Sequence, residues 1–252
     1  MVSVAAVDLR SGRRFERNAH AVLPAASTIK VLVSAALWSA AQRGELDPAR
    51  RVRVADTAAP GGGGLIESMH PATRLSLADL DLLMLAVSDN AATNVVIDAV
   101  GMERVNALAT GLGLEHTRLR RRMMDTEAAA RGADNTTCAA DMVALLAALV
   151  RADGVPRRAC RRVLAGLAQT QHTDIAGRYL PVASQRVVAS KQGELANVRH
   201  DVAVIDEGER RVALAVLSAP AGASEGLAHT AALAYRRVAA EPDLASPGSR
   251  AD

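Results

Sequence analysis

Apolar and polar positions change period along the 252-residue chain, and the changes divide it. From Val2 to Asp8, Val and Ala alternate with Ser and Asp, a Ser11-Gly12 turn follows, and 13–17 resume the pattern. This predicts a β-hairpin. Pro24 then precedes a long Ala/Leu/Val stretch from Ser27 to about Arg43, closed by Gly44. Pro before a start and Gly after an end punctuate a helix, and Ser suits its first position. Four glycines at 61–64 predict a loop. Helical periodicity returns at 76–87 and 91–100, separated by Ser88-Asp89-Asn90, and again at 103–111, 136–151 and 157–169. After Pro181 the period shortens. Arg186–Lys191, Val198–Asp206 and Arg210–Ser218 read as three consecutive strands, with Glu207-Gly208-Glu209 as a hairpin turn. A last Ala-rich helix covers about 224–240, and a Pro/Ser/Gly tail follows. No internal repeat is present.

Strands at both ends and helices between them predict an α/β (α+β) fold. An antiparallel sheet built from both chain ends is flanked by helices, beside an all-helical lobe. The expected division is one discontinuous two-lobe unit, with 1–22 and 181–252 in the sheet lobe and 23–180 in the helical lobe. A cleft is expected between them.

Composition changes this picture at one point. Of 30 basic residues, 28 are Arg and two are Lys, Lys30 and Lys191; Ala accounts for 53 positions. GC-rich coding explains such a bias, so the two lysines that escape it need a reason. The net charge of +3 is small and scattered, and four aromatics (Phe15, Trp38, Tyr179, Tyr235) cannot build stacking platforms, so no nucleic-acid partner is expected. No apolar run reaches the length of a membrane span, and no membrane partner is expected. The first residues lack a basic and then apolar leader pattern, which predicts a cytoplasmic protein, or an exported one whose leader has been removed. Cys138 and Cys160 are too few for a disulfide framework or zinc site, and the six His show no ligand spacing, so neither metal nor cofactor is expected.

Ser27-Thr28-Ile29-Lys30 places a hydroxyl and an amine three residues apart, on one helix face. A serine nucleophile needs a base, and lysine serves when burial or a nearby cation lowers its pKa. Arginine cannot, because it does not deprotonate. The plain alternative is a capping serine with a surface lysine. Ser88-Asp89-Asn90 sits at a helix junction, where capping is the plain reading. Lys191-Gln192-Gly193 sits on a late strand, where an edge lysine is the plain reading. Each is weak alone; the three in this order and on these elements are strong together.

The sequence resembles the class A β-lactamases and their penicillin-recognising serine hydrolase relatives. The resemblance runs from the opening hairpin through Ser27–Lys30, Gly64-Leu65-Ile66, Ser88–Asn94 and Asp134–Thr137 to Lys191–Gly193 and Arg199-His200-Asp201. It implies a serine β-lactamase-like fold with Ser27 as nucleophile and Lys30 as its base. Ser88 would relay a proton to the leaving group, and Asn90 would hydrogen-bond the substrate or Lys30. Lys191 would lower the pKa of Ser88 and attract a substrate carboxylate. Backbone N–H groups of Ser27 and Glu194 would form the oxyanion hole. Gln192, Gly193 and Arg199 complete the substrate-binding set, with Arg199 at the place of a carboxylate-contacting arginine.

Two departures matter. In the family's Ω-loop a Glu activates the deacylating water; here that position falls on Met123. Asp125 and Glu127 are the nearby carboxylates and the candidate replacements, although a loop carboxylate is usually only solvated. The Arg120–Arg122 run is expected to pair with Asp134 at the loop neck. The second departure is Gln192 in place of a Thr, which points to a substrate other than a penicillin; on a strand Gln192 should face away from the side Lys191 faces.

The expectation is a monomeric serine hydrolase or acyltransferase that forms an acyl-enzyme on Ser27 with a small cyclic amide, amide or ester. A weak true β-lactamase and a non-hydrolytic acyl-trapping sensor are the alternatives. His200 beside Asp201 reads as a satisfied strand histidine, or as a supporting pair for the site.

Overall fold

The computed structural model describes residues 1–185 and 188–240. Strands β1 (Val2–Asp8) and β2 (Arg14–Arg17) form the expected hairpin. Two-residue β3 (Leu23–Pro24) leads into a 3₁₀ turn, Ala26–Ile29, and helix α1 (Lys30–Gln42). Short strands β4 (Arg51–Arg53) and β5 (Arg74–Ser76) pair with each other. Helices α2 (Leu77–Ala86), α3 (Asn90–Val100), α4 (Met102–Gly111) and α5 (Thr126–Ala130) follow. Then come β6 (Thr136–Thr137), α6 (Ala139–Arg151), α7 (Arg157–Leu167) and α8 (Val182–Gln185). The chain closes with β7 (Val188–Leu195), β8 (Val198–Asp206), β9 (Arg211–Ser218) and α9 (Ser224–Ala239). The start of the predicted Arg186 strand and the tail beyond 240 lie outside the described residues.

The sheet has the order β2-β1-β9-β8-β7 and is antiparallel throughout. Chain end meets chain end where β1 pairs with β9, Val4 opposite Val216. Both faces are covered, which is why the strands are apolar at successive positions. Val4, Ala6, Leu214 and Val216 pack with Leu227, Ala231 and Val238 of α9. Ala5, Val7, Ala213, Ala215 and Leu217 belong to the larger core with Met142, Leu145 and Leu146 of α6.

Helix α1 is buried all round, with Val31, Leu32, Val33, Ala35 and Leu37 inaccessible or nearly so. A helix without a polar face belongs in the centre of a packed lobe. Helix α2 starts at a capping box, Ser76 Oγ accepting from Asp79 N while Asp79 accepts from Ser76 N. Among the described residues no helix is long and apolar enough to cross a membrane.

The first-helix reading needs correction. Ser27 is not an N-cap; it sits inside the 3₁₀ turn, and α1 starts at Lys30. A 3₁₀ turn has three residues per turn, so positions i and i+3 still superpose. The short pairings β3–β6 and β4–β5 and the small helices α5 and α8 were not predicted. Elements of two to five residues carry no measurable period and arise from tertiary contacts.

Candidate active site

The turn carrying Ser27 is pinned from several sides. Ala25 N donates to Asn135 O (2.7 Å) and Thr28 Oγ1 to Ala25 O (2.6 Å). His200 Nε2 meets Pro24 O at 2.8 Å, while its Nδ1 accepts from Ser218 N at 3.1 Å. Those bonds specify a neutral imidazole with its proton on Nε2, and burial lowers its pKa. The satisfied-histidine reading describes it. Ala26, just before Ser27, has φ 46°, in the left-handed region; Ser88 (59°) and Met124 (63°) share that strain. All three line one cleft of about 510 Å³, with Ser27, Asn90, Gly62–Gly64, Met123, Lys191, Gln192 and Glu194. Strained non-glycine backbone persists where the surroundings over-determine it, and it gathers at functional sites.

Lys30 is completely buried. Its Nζ donates to Ser88 O (2.7 Å), Ser88 Oγ (3.1 Å) and Asn90 Oδ1 (2.8 Å). Ser27 Oγ is not one of these partners. The contacts with Ser88 and Asn90 join the two motifs across 58 and 60 residues of chain. Burial, then the charge of Lys191, hold the Lys30 amine well below its ordinary value against the pull of Asp89. An amine so placed can take up a proton and pass it on.

The two ends of Ser88-Asp89-Asn90 face the cleft and the middle faces inward. Buried Asp89 caps α3 through Ala92 N (2.8 Å) and accepts from Leu65 N (2.7 Å) and Ile66 N (2.9 Å). Asn90 Nδ2 donates to Gly61 O (3.1 Å) and Gly62 O (3.3 Å). The capping reading is therefore correct for Asp89, which also holds the glycine loop over the cleft. A Cβ at Gly64 would lie 2.4 Å from Asp89 Oδ2, so the loop must be glycine there.

Strand β7 forms the opposite wall. Lys191 is fully buried and donates to Gln192 O (2.9 Å). Burial lowers its pKa to about 8, against the attraction of Asp201. Asp201 is pushed up to about 7 by burial, although Ala176 N–H (2.8 Å) and Lys191 favour its charged form. A Cβ on Gly193 would stand 3.1 Å from Ser27 N, so glycine lets β7 run against the Ser27 turn. That contact brings Glu194, the next residue, to the wall that Ser27 lines. Gln192 also reaches the cleft rim, and its Nε2 donates to Asp174 Oδ1 (2.5 Å). Arg199 pairs with Glu194 directly across the β7–β8 ladder.

The loop from 118 to 136 closes the cleft. Arg121 pairs with Asp134 at 2.8 Å, as expected of the neck; Arg120 instead donates to Asp134 O (3.1 Å), and Arg122 pairs with Asp98 (2.8 Å). Asn135 Oδ1 accepts from the backbone of Arg120 and Arg121. Two bonds with Asn94 clamp Met123: its N donates to Oδ1 (2.7 Å) and its O accepts from Nδ2 (3.2 Å). Met123 is 7% exposed and lines the cleft. The two candidate replacement carboxylates stand elsewhere. Asp125 caps α5 through Ala128 N (2.9 Å), Glu127 is exposed near Arg131 (3.6 Å), and neither lines the cleft.

Residues 1–241 match the beta-lactamase enzyme family. The chain belongs to that family. Its fold is that of the class A β-lactamases, within the penicillin-recognising serine hydrolase superfamily. A β-lactamase of Sphaerobacter thermophilus is 28% identical, with a TM-score of 0.85, over 96% of this chain and 93% of that one. PBP-A is 24% identical, with a TM-score of 0.82, over 94% and 89%, a likeness of fold. Beta-lactamase CARB-4 of Pseudomonas aeruginosa is 26% identical over 121 residues, 48% of this chain and 42% of that protein.

For this member of the beta-lactamase family, sequence reasoning missed Asp174 and the inward role of Asp89. Asp174 lies in a loop without a motif, and only folding places it beside Gln192. Asp89 was in plain view, but its loop-holding bonds reach back 23 and 24 residues.

Proposed function

We propose that this beta-lactamase-family serine hydrolase forms an acyl-enzyme on Ser27 with an amide, cyclic amide or ester. The observation that carries the reading is Lys30, fully buried, low in pKa and hydrogen-bonded to both Ser88 Oγ and Asn90 Oδ1. Neutral Lys30 takes the Ser27 proton as Oγ attacks the carbonyl carbon. The carbonyl π-electrons move to oxygen, which the N–H groups of Ser27 and Glu194 receive. The proton passes from Lys30 through the Ser88 hydroxyl to the leaving nitrogen or oxygen as the C–N or C–O bond breaks. Lys191 supplies positive charge beside this path.

Release of the acyl group needs water or another nucleophile, and a base. Met123 cannot act as one, Asp125 is committed to its cap, and Glu127 is outside the cleft. We therefore read slow hydrolysis, or transfer to an acceptor other than water. Kinship with named β-lactamases favours a second reading, a working β-lactamase. PBP-A, whose fold the chain shares, includes a variant seen as an acyl-enzyme complex with penicillin G.

Intact-protein mass spectrometry after mixing with penicillin G and with a simple phenylacetyl ester separates these. The proposal expects a Ser27 adduct that Ser27→Ala abolishes, with ester turnover falling by about 10³-fold or more. A penicillin adduct that clears within seconds supports the β-lactamase. A stable adduct without turnover of any ester supports the acyl-trapping sensor. Ester turnover that survives Ser27→Ala sinks the nucleophile assignment.

A further inference from the structure

The rim of the cleft on the β7 side is a continuous polar chain. Gln192 donates to Asp174, Ser224 hydrogen-bonds Asp174, and Arg199 Nη1 reaches Ser224 Oγ (3.3 Å) and Gly222 O (3.4 Å). Arg199 Nη2 ends the chain on Glu194 Oε1. Burial works to raise the Asp174 pKa, but hydrogen bonds from Gln192 and Ser224 prevail and keep it low, so the carboxylate stays charged. The guanidinium therefore already has an anion, and a second anion stands one serine away. Lys191 and Arg121, which also line the cleft, are committed too. Lys191 is buried and attracted to Asp201, and Arg121 is paired with Asp134. What this rim still presents is acceptor capacity, above all the Glu194 carboxylate, 62% exposed at the cleft edge. An incoming carboxylate must displace Glu194 from Arg199 and then sit near Asp174, and like charges brought together oppose binding.

We infer that Glu194 occupies Arg199 in place of a substrate carboxylate, so that the site selects acyl donors bearing an N–H donor, neutral or cationic, at that end. The inference rests on the acyl-enzyme reading for its chemistry, but not for its binding preference. Arg199 is then a positioning residue for Glu194 rather than an anchor for an anionic substrate. Gln192 belongs to the same arrangement: its amide donates to Asp174.

Three matched phenylacetyl-glycyl thioesters test it, with mercaptoacetate, mercaptoacetamide or 4-mercaptopiperidine, whose ring nitrogen cannot reach the acyl carbon, as the leaving thiol. Acylation of wild type should favour the amide and ammonium members over the carboxylate by about tenfold or more. Glu194→Gln should raise the ratio of carboxylate to ammonium acylation by about tenfold or more. Comparing the same thioester on both proteins cancels leaving-group reactivity. Calorimetric binding of the three to Ser27→Ala should follow the wild-type order. A wild type that prefers the carboxylate, or a preference that Glu194→Gln leaves untouched, overturns the inference. If Ser27 is never acylated yet the binding order is as stated, the acyl-enzyme reading fails and the inference stands. If acylation proceeds without charge preference, the reverse is true.

Discussion

Lys30 and Lys191 have both lost contact with solvent, and burial is the first cause of the lowered pKa of each. Only arginine would have kept a fixed charge at these positions. Lys191 loses its charge as pH rises through about 8, so the proposed acylation should fall on the alkaline side. Lys191→Arg keeps the charge, and the alkaline limb should disappear, at a rate reduced by about tenfold or more because a guanidinium does not fit an ammonium site. Stopped-flow acylation on either side of pH 8 checks this, and an unchanged limb would assign it to another group. A second buried group lies away from the cleft. Asp81 accepts from Trp38 Nε1 (2.7 Å), and burial, outweighing its hydrogen bonds with Trp38 and Ser34, raises its pKa to about 6. The folded protein thus holds this proton more tightly than the unfolded chain, whose ordinary value is 3.8. The associated stability is fully present below that value and is lost as pH rises through about 6. Two pKa units correspond to roughly 3 kcal/mol. Asp81→Asn should therefore gain about 1–3 kcal/mol over wild type at neutral pH and little in acid, as read by urea unfolding at both. The lysines could be picked out from composition alone. Asp81 could not, because a second Asp in an otherwise apolar helix gives no sign of where the packing will put it.

At the scale of elements, the long periodic segments were legible and their junctions were not. Helices α2, α3, α4, α6, α7 and α9 fall within a few residues of where periodicity put them. The Ser27 turn, the glycine loop and the segment from 118 to 136 have no period, and they build the cleft. The last of these is held by the Arg121–Asp134 ion pair and by the side chains of Asn135 and Asn94 gripping backbone, rather than by a regular ladder. Its grip on Met123 holds against the cleft the position at which the resemblance expects a carboxylate. Met123→Glu should therefore supply a general base and shorten the lifetime of a Ser27–penicillin adduct by about 10²-fold. Time-resolved intact mass measures it, and an adduct of unchanged lifetime would show that the loop does not aim this position at the ester.

In the whole molecule, the Ser27 turn depends on the sheet. His200 on β8 ties Ser218 on β9 to Pro24, three residues before Ser27. His200→Ala should leave both backbone groups without this partner and a void in the core, costing about 2–3 kcal/mol. It should also slow acylation, because small displacements of a nucleophile are expensive. Thermal unfolding and acylation rate together check this, and a stable variant with full activity would remove the sheet from the argument. Period and punctuation along the chain were enough for the class of fold, the order of its long elements and the pairing of strands from opposite ends. The motifs were enough for the family and for which serine and lysines to examine. They could not say that Lys30 turns to Ser88 and Asn90, that Asp89 holds a glycine loop, or that Glu194 covers Arg199. Those contacts join residues from 5 to 60 positions apart through hydrogen bonds and shared burial. Local propensity reaches only a few residues along the chain. Pairings at longer range exist only once the sheet and helices have closed around them.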